Sequence, residues 1–182
     1  MKILKPFLVA TAVVIAGILV GCTSAPTKAA DVTESIRTSL AQANLKDVSV
    51  SQDRDKGVVT LGGQVAVDGD KAQAESIARS FSGMQVVANQ IAVIPIGGEA
   101  DAKKVNSALD DAIESNLEAA FIKEKLRDDV KFSVKNLVVT LTGEVNSQAR
   151  RTQAEKAASA IPNVAQVVNE LQVKGQKATS TK

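Results

Sequence analysis

The sequence predicts an α+β fold of two tandem αββαβ units, each a three-stranded mixed sheet covered by two helices on one face. The main observation is a repeat, because the segment VVTLGGQV at 58–65 returns eighty residues later as VVTLTGEV at 138–145. The same offset continues through the helix and the strand that follow. A period this long exceeds that of solenoid repeats, so each copy is expected to be a small domain. The matched downstream positions are Gln73 with Gln153, Glu75 with Glu155, and Asn89 with Asn169.

The first helix of each unit is predicted from apolar residues spaced four apart, which fall on one helix face. We expect these helices to begin at Asp31 and Asp111, since Glu34 and Glu114 follow three residues later as in a capping box. The predicted buried stripes are Val32, Ile36 and Leu40 in unit one, and Ile113, Leu117 and Phe121 in unit two.

Two strands follow in each unit and are expected to pair as a hairpin. Val48 and Val50 alternate with polar residues, as do the apolar residues of 130–134, which is the period of a half-buried strand. A turn at 53–57 in unit one, and a shorter one around Asn136 in unit two, leads into the repeated segment.

A second helix and a final strand complete each unit. The second helices are expected at 71–81, after an Asp70 and Gln73 cap, and at 148–161. The final strands are expected at 86–94 and 166–173. The residues predicted to face the sheet are Ala74, Ile77, Ala78 and Phe81 in unit one, and Ala154, Ala157, Ala158 and Ile161 in unit two.

The chain opens with a segment that resembles a bacterial lipoprotein signal. An apolar run at 7–20 follows two lysines and is too short for an ordinary membrane span, but it fits a secretory signal. The run ends in Leu19-Val20-Gly21-Cys22, which resembles a lipobox, and Cys22 is the only cysteine. The resemblance implies a signal peptide at 1–21 and an acylated Cys22 that begins a tether at 22–30. A plain secretory signal is the alternative.

Composition argues against nucleic-acid binding. The net charge of +2 comes from 22 basic and 20 acidic residues, and the two lysines of residues 1–21 account for the whole excess. The remaining chain is therefore neutral and lacks the basic excess that nucleic-acid-binding domains carry.

Residue usage also argues against catalysis and cofactors. The chain has no His, Trp or Tyr, which removes the usual general base and the commonest ligand of transition metals. The acidic groups around 53–55 and 68–70 lack the calcium-loop pattern and are explained by a hairpin turn and a helix cap. We therefore expect no catalytic residue, no metal and no cofactor.

The repeated segments resemble the BON domain family of bacterial envelope proteins. The residues that carry the resemblance are the repeat at 58–65 and 138–145 and the closing segments VVANQIAV at 86–93 and VVNELQV at 167–173. The resemblance implies an αββαβ module, a periplasm-facing location and affinity for phospholipid surfaces, without enzyme activity. Gly63 and Gly143 match the glycine characteristic of the family, and glycine there suits a bulge or a close approach. We interpret both as structural residues.

The domain organisation follows from the repeat. The expected segments are BON-like domains at 31–95 and 110–174, a linker at 96–109 and a disordered tail at 175–182. The linker is either flexible or a helical extension running into unit two.

Basic residues of unit two are the candidate lipid-binding residues. They would contact anionic phospholipid headgroups, each contributing about 1 kcal/mol near the surface. They are Lys123, Lys125, Arg127, Arg150, Arg151 and Lys156. A solvated mixed-charge face is the alternative, because Glu124, Asp128, Asp129 and Glu155 are interleaved with them.

The combined interpretation is a non-catalytic lipoprotein held on a membrane through acylated Cys22. Its modules would bind phospholipid surfaces and support envelope integrity or stress tolerance, and Thr23 after the cysteine favours the outer membrane by resemblance. The alternative is a periplasmic protein-interaction scaffold without headgroup recognition. It would bind an envelope protein through the exposed sheet face or the groove between the units.

Overall fold

The structure is a computed structural model that describes residues 28–175. The predicted signal peptide, the acylation at Cys22, most of the tether and the tail after Gly175 lie outside the described residues. In unit one the elements are α1 Thr33–Gln42, β1 Val48–Asp53, β2 Val58–Val65, α2 Asp68–Ser82, β3 Val86–Asn89 and β4 Ala92–Val93. In unit two they are α3 Glu99–Lys123, β5 Val130–Lys135, β6 Val138–Val145, α4 Gln148–Ser159, β7 Gln166–Asn169 and β8 Gln172–Val173.

Each unit contains a mixed sheet with the repeated strand at its centre. In unit one β2 pairs antiparallel with β1, with Val50 opposite Leu61, and parallel with β3, with Val58 opposite Val86. The short β4 continues along β2 beyond β3. Unit two repeats this arrangement with β5, β6, β7 and β8. The prediction of an α+β fold with two mixed-sheet units is confirmed.

The final strands differ from the prediction, because each is interrupted after its fourth residue. Asn89 causes the break in unit one, since its side-chain Oδ1 accepts the backbone N–H of Ile91 at 3.4 Å. Asn169 does the same for Leu171 at 3.2 Å in unit two. An asparagine that bonds its own backbone two residues on competes with ladder pairing, so a strand predicted as continuous divides in two.

Both helices of each unit pack on the same face of its sheet and enclose one apolar core. The fully buried side chains include Ile36 and Leu40 of α1 and Leu117 and Phe121 of α3, which confirms the predicted stripes. The prediction that Phe81 faces inward is wrong, because 41% of its surface is exposed. Ala74, Ala78 and Ser82 continue the buried row of α2 at four-residue spacing. Phe81 lies one residue, or about 100°, away from that row.

Neither of the predicted capping boxes forms in full. Asp31 does cap α1, accepting the Thr33 backbone N–H at 3.1 Å, but α1 begins at Thr33 and the Val32 position carries no side-chain cap bond. In unit two, Asp111 and Glu114 lie inside α3, which begins at Glu99 and covers most of the segment between the units. The predicted Asp70 cap fails similarly, since α2 begins at Asp68 without a side-chain cap.

Gly63 and Gly143 occupy positions that a side chain cannot enter. Their φ angles are +91° and +123°, in the region that favours glycine. A Cβ at Gly63 would lie 2.0 Å from the carbonyl oxygen of Asp47, and one at Gly143 would lie 2.5 Å from that of Asp129. The backbone entering the first strand therefore approaches the central strand too closely for a side chain at this position in each unit.

Candidate functional site

The two units contact each other through their edge strands β3 and β7. Gln166, the first residue of β7, donates from Nε2 to the carbonyl oxygen of Val87 at 2.6 Å and accepts the backbone N–H of Asn89 at 3.0 Å. Its side-chain amide thus supplies one donor and one acceptor to β3, as a neighbouring strand would. Four side chains from the sheet faces turned away from the helices form a separate buried cluster beside this contact. They are Val58, Ala88, Val138 and Val168.

The contact between the units is made twice, from equivalent positions. Lys56 in the turn of unit one donates to Glu170 at 2.6 Å. Eighty residues further on, Asn136 in the turn of unit two donates from Nδ2 to the carbonyl oxygen of Gln90 at 2.7 Å. Each turn therefore meets the end of the other unit's edge strand, and β3 and β7 run antiparallel to each other. The groove between the units, proposed for a protein partner, is filled at this point.

This arrangement places two features at one end of the molecule. The first is the turn end of unit one, which comprises the turn 53–57 and the loop 83–85 beside it. The second is the basic end of unit two, comprising residues 123–129 after α3 and the first turns of α4. They share an end because Glu170, which follows β7, contacts Lys56 of the turn.

Two of the six basic residues named as lipid-binding are used to build the fold. Arg151 donates from Nε to the Leu171 carbonyl at 3.0 Å and from a terminal nitrogen to the Asn169 carbonyl at 2.8 Å. Arg150 donates to the Lys125 carbonyl at 2.5 Å and to Asp129 at 3.1 Å. Both guanidinium groups therefore hydrogen-bond to the ends of neighbouring elements. Neither can turn towards a ligand without breaking these bonds.

The other four basic residues divide into one paired and three unpaired side chains. Arg127 is paired, since it donates from Nε to Glu118 at 2.5 Å. Lys123, Lys125 and Lys156 are exposed and join none of the ion pairs found within residues 28–175. These three lysines are the members of the predicted set whose charges remain available to an anionic surface.

A shallow groove of about 650 Å³ lies along α4 beside the end of α3. Lys156 lines it together with Glu124, and Gln153 bridges the two helices by donating to Glu124 at 2.8 Å. Lys123 and Lys125 flank Glu124 in the chain. Lys156 therefore lines this open groove, and Lys123 and Lys125 lie on either side of Glu124, which lines it at the end of α3.

The repeated Asn and Glu positions form a clamp in each unit. In unit one Asn89 is buried, and its Nδ2 donates to Glu75 at 2.9 Å and to the Lys71 carbonyl at 3.3 Å. In unit two Asn169 makes the same bonds to Glu155 and to the Arg151 carbonyl. The clamp fixes the second helix to the interrupted strand, so this part of the repeat is structural.

Electrostatics around the unit-one clamp reflect burial and pairing. The hydrogen bond from Asn89 lowers the pKa of Glu75, although partial burial opposes the shift. Half-burial lowers the pKa of Lys71, while Asp68 and Glu75 oppose that change. At the contact between the units, the hydrogen bond with Glu170 raises the pKa of Lys56. The pKa shifts of Glu75 and Lys56 favour the charged form of each side chain, whereas that of Lys71 favours the neutral form.

Sequence reasoning missed Asp110, which holds the turn of unit two. Its two carboxylate oxygens accept the backbone N–H groups of Asn136 and Leu137, each at 2.8 Å. Both of those residues have positive φ angles, so the turn depends on this support. In the sequence Asp110 marked only the start of the second domain, because its contact is with a residue 26 positions away.

Two kinds of feature are absent from residues 28–175. No three side chains of the metal-ligating types come together there in a group that could hold a metal ion. None of the helices in this range combines the length and the apolarity needed to cross a membrane.

Comparison with known proteins identifies the modules. A model of the family described as BON domain matches residues 28–95 and 109–175. Osmotically-inducible protein Y of Escherichia coli (strain K12) is 31% identical over 136 residues, which cover 72% of this chain and 65% of that protein. The chain therefore spans slightly less than two thirds of that relative's length.

Two solved structures of CdsD, a structural protein of the Type III secretion system of Chlamydia trachomatis, resemble the chain weakly. One is 14% identical with a TM-score of 0.32 and covers 78% of this chain and 61% of that chain. The other, of the C-terminal domain, is 14% identical with a TM-score of 0.31 and covers 77% and 66%. Scores this low carry no argument about this chain.

Proposed function

Since this chain belongs to the BON domain family, we propose that it is an osmotic or envelope stress-related protein of the periplasm whose modules bind phospholipid surfaces. The relative named for osmotic induction supports the stress-related part of the proposal. In this proposal Cys22 is acylated and anchors the chain, most simply to the outer membrane, and neither module carries out catalysis.

The observation that carries the lipid-binding part is the set of three unpaired lysines around the α4 groove. Lys123, Lys125 and Lys156 are exposed on unit two, whereas the neighbouring arginines are engaged in hydrogen bonds within the protein. A headgroup phosphate attracts such unpaired ammonium groups, each by about 1 kcal/mol near an anionic surface. We therefore narrow the six predicted residues to these three lysines.

Vesicle co-sedimentation tests the proposal. The chain from Thr23 onward retains every residue that the structure describes and lacks the acyl anchor. We expect it to sediment with phosphatidylglycerol-containing vesicles at low salt and to be released at high salt, because salt screens the attraction. We expect no binding to vesicles of pure phosphatidylcholine. Binding that persists in the triple variant K123E/K125E/K156E would contradict the assignment of these lysines.

A matched control uses three exposed lysines outside the groove, changed together as K46E/K103E/K104E. This variant carries the same change in net charge, so it separates a local site from general attraction. Absence of binding by the unmodified sequence would favour the protein-interaction scaffold. Its partner surface would then be the part of the sheet faces left open beyond the buried cluster.

A further inference from the structure

The chain enters unit one at a fixed place. The backbone N–H of Ala29 donates to the Arg54 carbonyl at 2.9 Å, and Arg54 Nε donates back to the Ala29 carbonyl at 2.7 Å. Gln52 and Gln85 both donate to the carbonyl of Ala30, at 2.7 and 3.2 Å. Residues 28–30 are therefore held against the turn end of unit one, and whatever precedes them in the chain must leave from there.

Three apolar side chains are exposed at this same end. Phe81, Met84 and Val86 are 41%, 79% and 45% exposed, and they lie within six residues of one another. The backbone N–H of Val86 donates to the Gly57 carbonyl at 2.9 Å, which places this segment beside the turn. We call the three side chains the apolar tip. Single exposed apolar residues are common on protein surfaces, but a cluster of them is typical of a contact surface.

The length of the preceding chain decides what can cover the tip. Six residue steps separate Cys22 from Lys28, which is at most about 22 Å of chain at full extension. A bilayer that holds an acylated Cys22 is thus always within this distance of the turn end. Tethering at such short range gives the tip a high effective concentration at the membrane surface.

The charge around the tip is mixed at the turn and basic at the neighbouring end of unit two. Lys28 pairs with Asp55 at 3.2 Å, and Arg54 lies between Asp53 and Asp55 in the chain. The basic end of unit two lies at the same end of the molecule because β3 and β7 are antiparallel, so Lys123 and Lys125 lie at the same end as the tip. An orientation that turns this end towards an anionic membrane satisfies the tether, the apolar tip and these two lysines together.

We propose that Phe81, Met84 and Val86 insert into the interfacial layer of the phospholipid bilayer that holds Cys22, and so orient both units on the membrane. This inference rests on the proposed anchoring and lipid binding. The tip acts as a shallow apolar contact, while the lysines of unit two meet headgroups beside it.

A single tryptophan reports the insertion directly, because the chain contains no Trp or Tyr. The test uses the full acylated chain carrying M84W, reconstituted in vesicles of phosphatidylcholine and phosphatidylglycerol with a quencher attached high on the acyl chain. The control is I96W, since Ile96 is 90% exposed and follows β4 at the opposite end of the strand from the tip. Circular dichroism checks that both variants are folded.

We expect M84W emission to shift to the blue and to be quenched several-fold more strongly than I96W emission. Equal quenching of the two, or an M84W that stays unquenched while the protein floats with vesicles, would overturn the insertion proposal and leave the anchor intact. A chain that does not float with vesicles would lack the anchor, and both proposals would then fail.

Discussion

Lys56 and Glu170 join the two units by an ion pair of 2.6 Å, at positions equivalent to those of Asn136 and Gln90. The same position in each repeat therefore contacts the other unit. The contact is an ion pair in one case and a hydrogen bond between neutral groups in the other. Side chains that differ between the copies preserve one geometry, so the two units form a pseudo-symmetric pair rather than two independent modules on a linker.

Replacing Lys56 by Met is expected to weaken the contact between the units. The lysine side chain is 36% exposed and the glutamate 11%, so after solvent screening we expect a loss of about 0.5–1 kcal/mol in the free energy of unfolding. Urea unfolding measures it, with K46M as a control at an exposed lysine outside the ion pairs described. A loss equal to that of the control would show that the pair contributes nothing.

The same pair predicts a pH dependence. The hydrogen bond with Glu170 raises the pKa of Lys56 above its ordinary value. A raised pKa means that the stabilisation is complete below the ordinary lysine pKa of about 10.4 and disappears as pH rises through the folded value. The difference in unfolding free energy between the natural chain and K56M should therefore be constant from pH 7 to 9 and shrink above about pH 10.5. A difference that persists at high pH would contradict an ionic origin.

Gly143→Ala is expected to destabilise unit two by at least about 2 kcal/mol, from backbone strain together with the clash against a carbonyl. The φ angle is +123°, and the new Cβ would lie 2.5 Å from the Asp129 oxygen. Gly69→Ala is the control, because Gly69 lies in α2 with nothing within 4 Å of the added Cβ. That substitution should stabilise slightly, by about 0.5–1 kcal/mol. Thermal unfolding compares the two, and equal effects would refute the close approach.

Much of the architecture could be predicted because it depends on local pattern. Apolar spacing located α1 and α3, and alternation located the hairpins, since both follow from the geometry of single elements. The role of Asp110 and the break in the final strand could not be predicted in this way. Asp110 supports a turn 26 residues away, and Asn89 bonds a helix 14 residues before it, so both depend on tertiary contacts.

The candidate site could also be predicted only in part from the sequence. A run of basic residues in the sequence predicted six lipid contacts, but the pattern could not distinguish a free cation from one that caps a strand. Arg151 takes the place of Lys71 in the repeat, and its longer, planar head reaches two carbonyls. The apolar tip was missed because Phe81 also fits a helical stripe that begins at Ala74, and the sequence does not show that Ser82 takes the buried position instead.

Arg151→Met should affect stability rather than lipid binding. It removes the charged donor from the carbonyls of Asn169 and Leu171, and we expect the free energy of unfolding to fall by about 1–3 kcal/mol. Lys156→Met on the same helix changes the net charge equally, but should change stability by less than about 0.5 kcal/mol. Under the proposed function only K156M lowers binding to anionic vesicles in the folded protein. An Arg151 variant that keeps full stability would show that its guanidinium bonds are not structural.

Lys125→Gly should change stability and membrane binding in opposite directions. Lys125 follows α3 with a φ angle of +55°, so glycine there should stabilise the protein by up to about 1 kcal/mol. The backbone carbonyl that accepts from Arg150 is retained. Loss of the ammonium group should weaken binding to anionic vesicles by about 1 kcal/mol, or roughly fivefold.

Asn44→Gly is the matched control, because Asn44 follows α1 in unit one with a φ angle of +60° and carries no charge. It should gain less stability than Lys125→Gly, because asparagine already tolerates the left-handed region, and its vesicle affinity should be unchanged. Denaturant unfolding and vesicle titration of the two variants side by side separate the contributions. If Lys125→Gly binds vesicles as tightly as Asn44→Gly does, the lysine at the end of α3 takes no part in lipid binding.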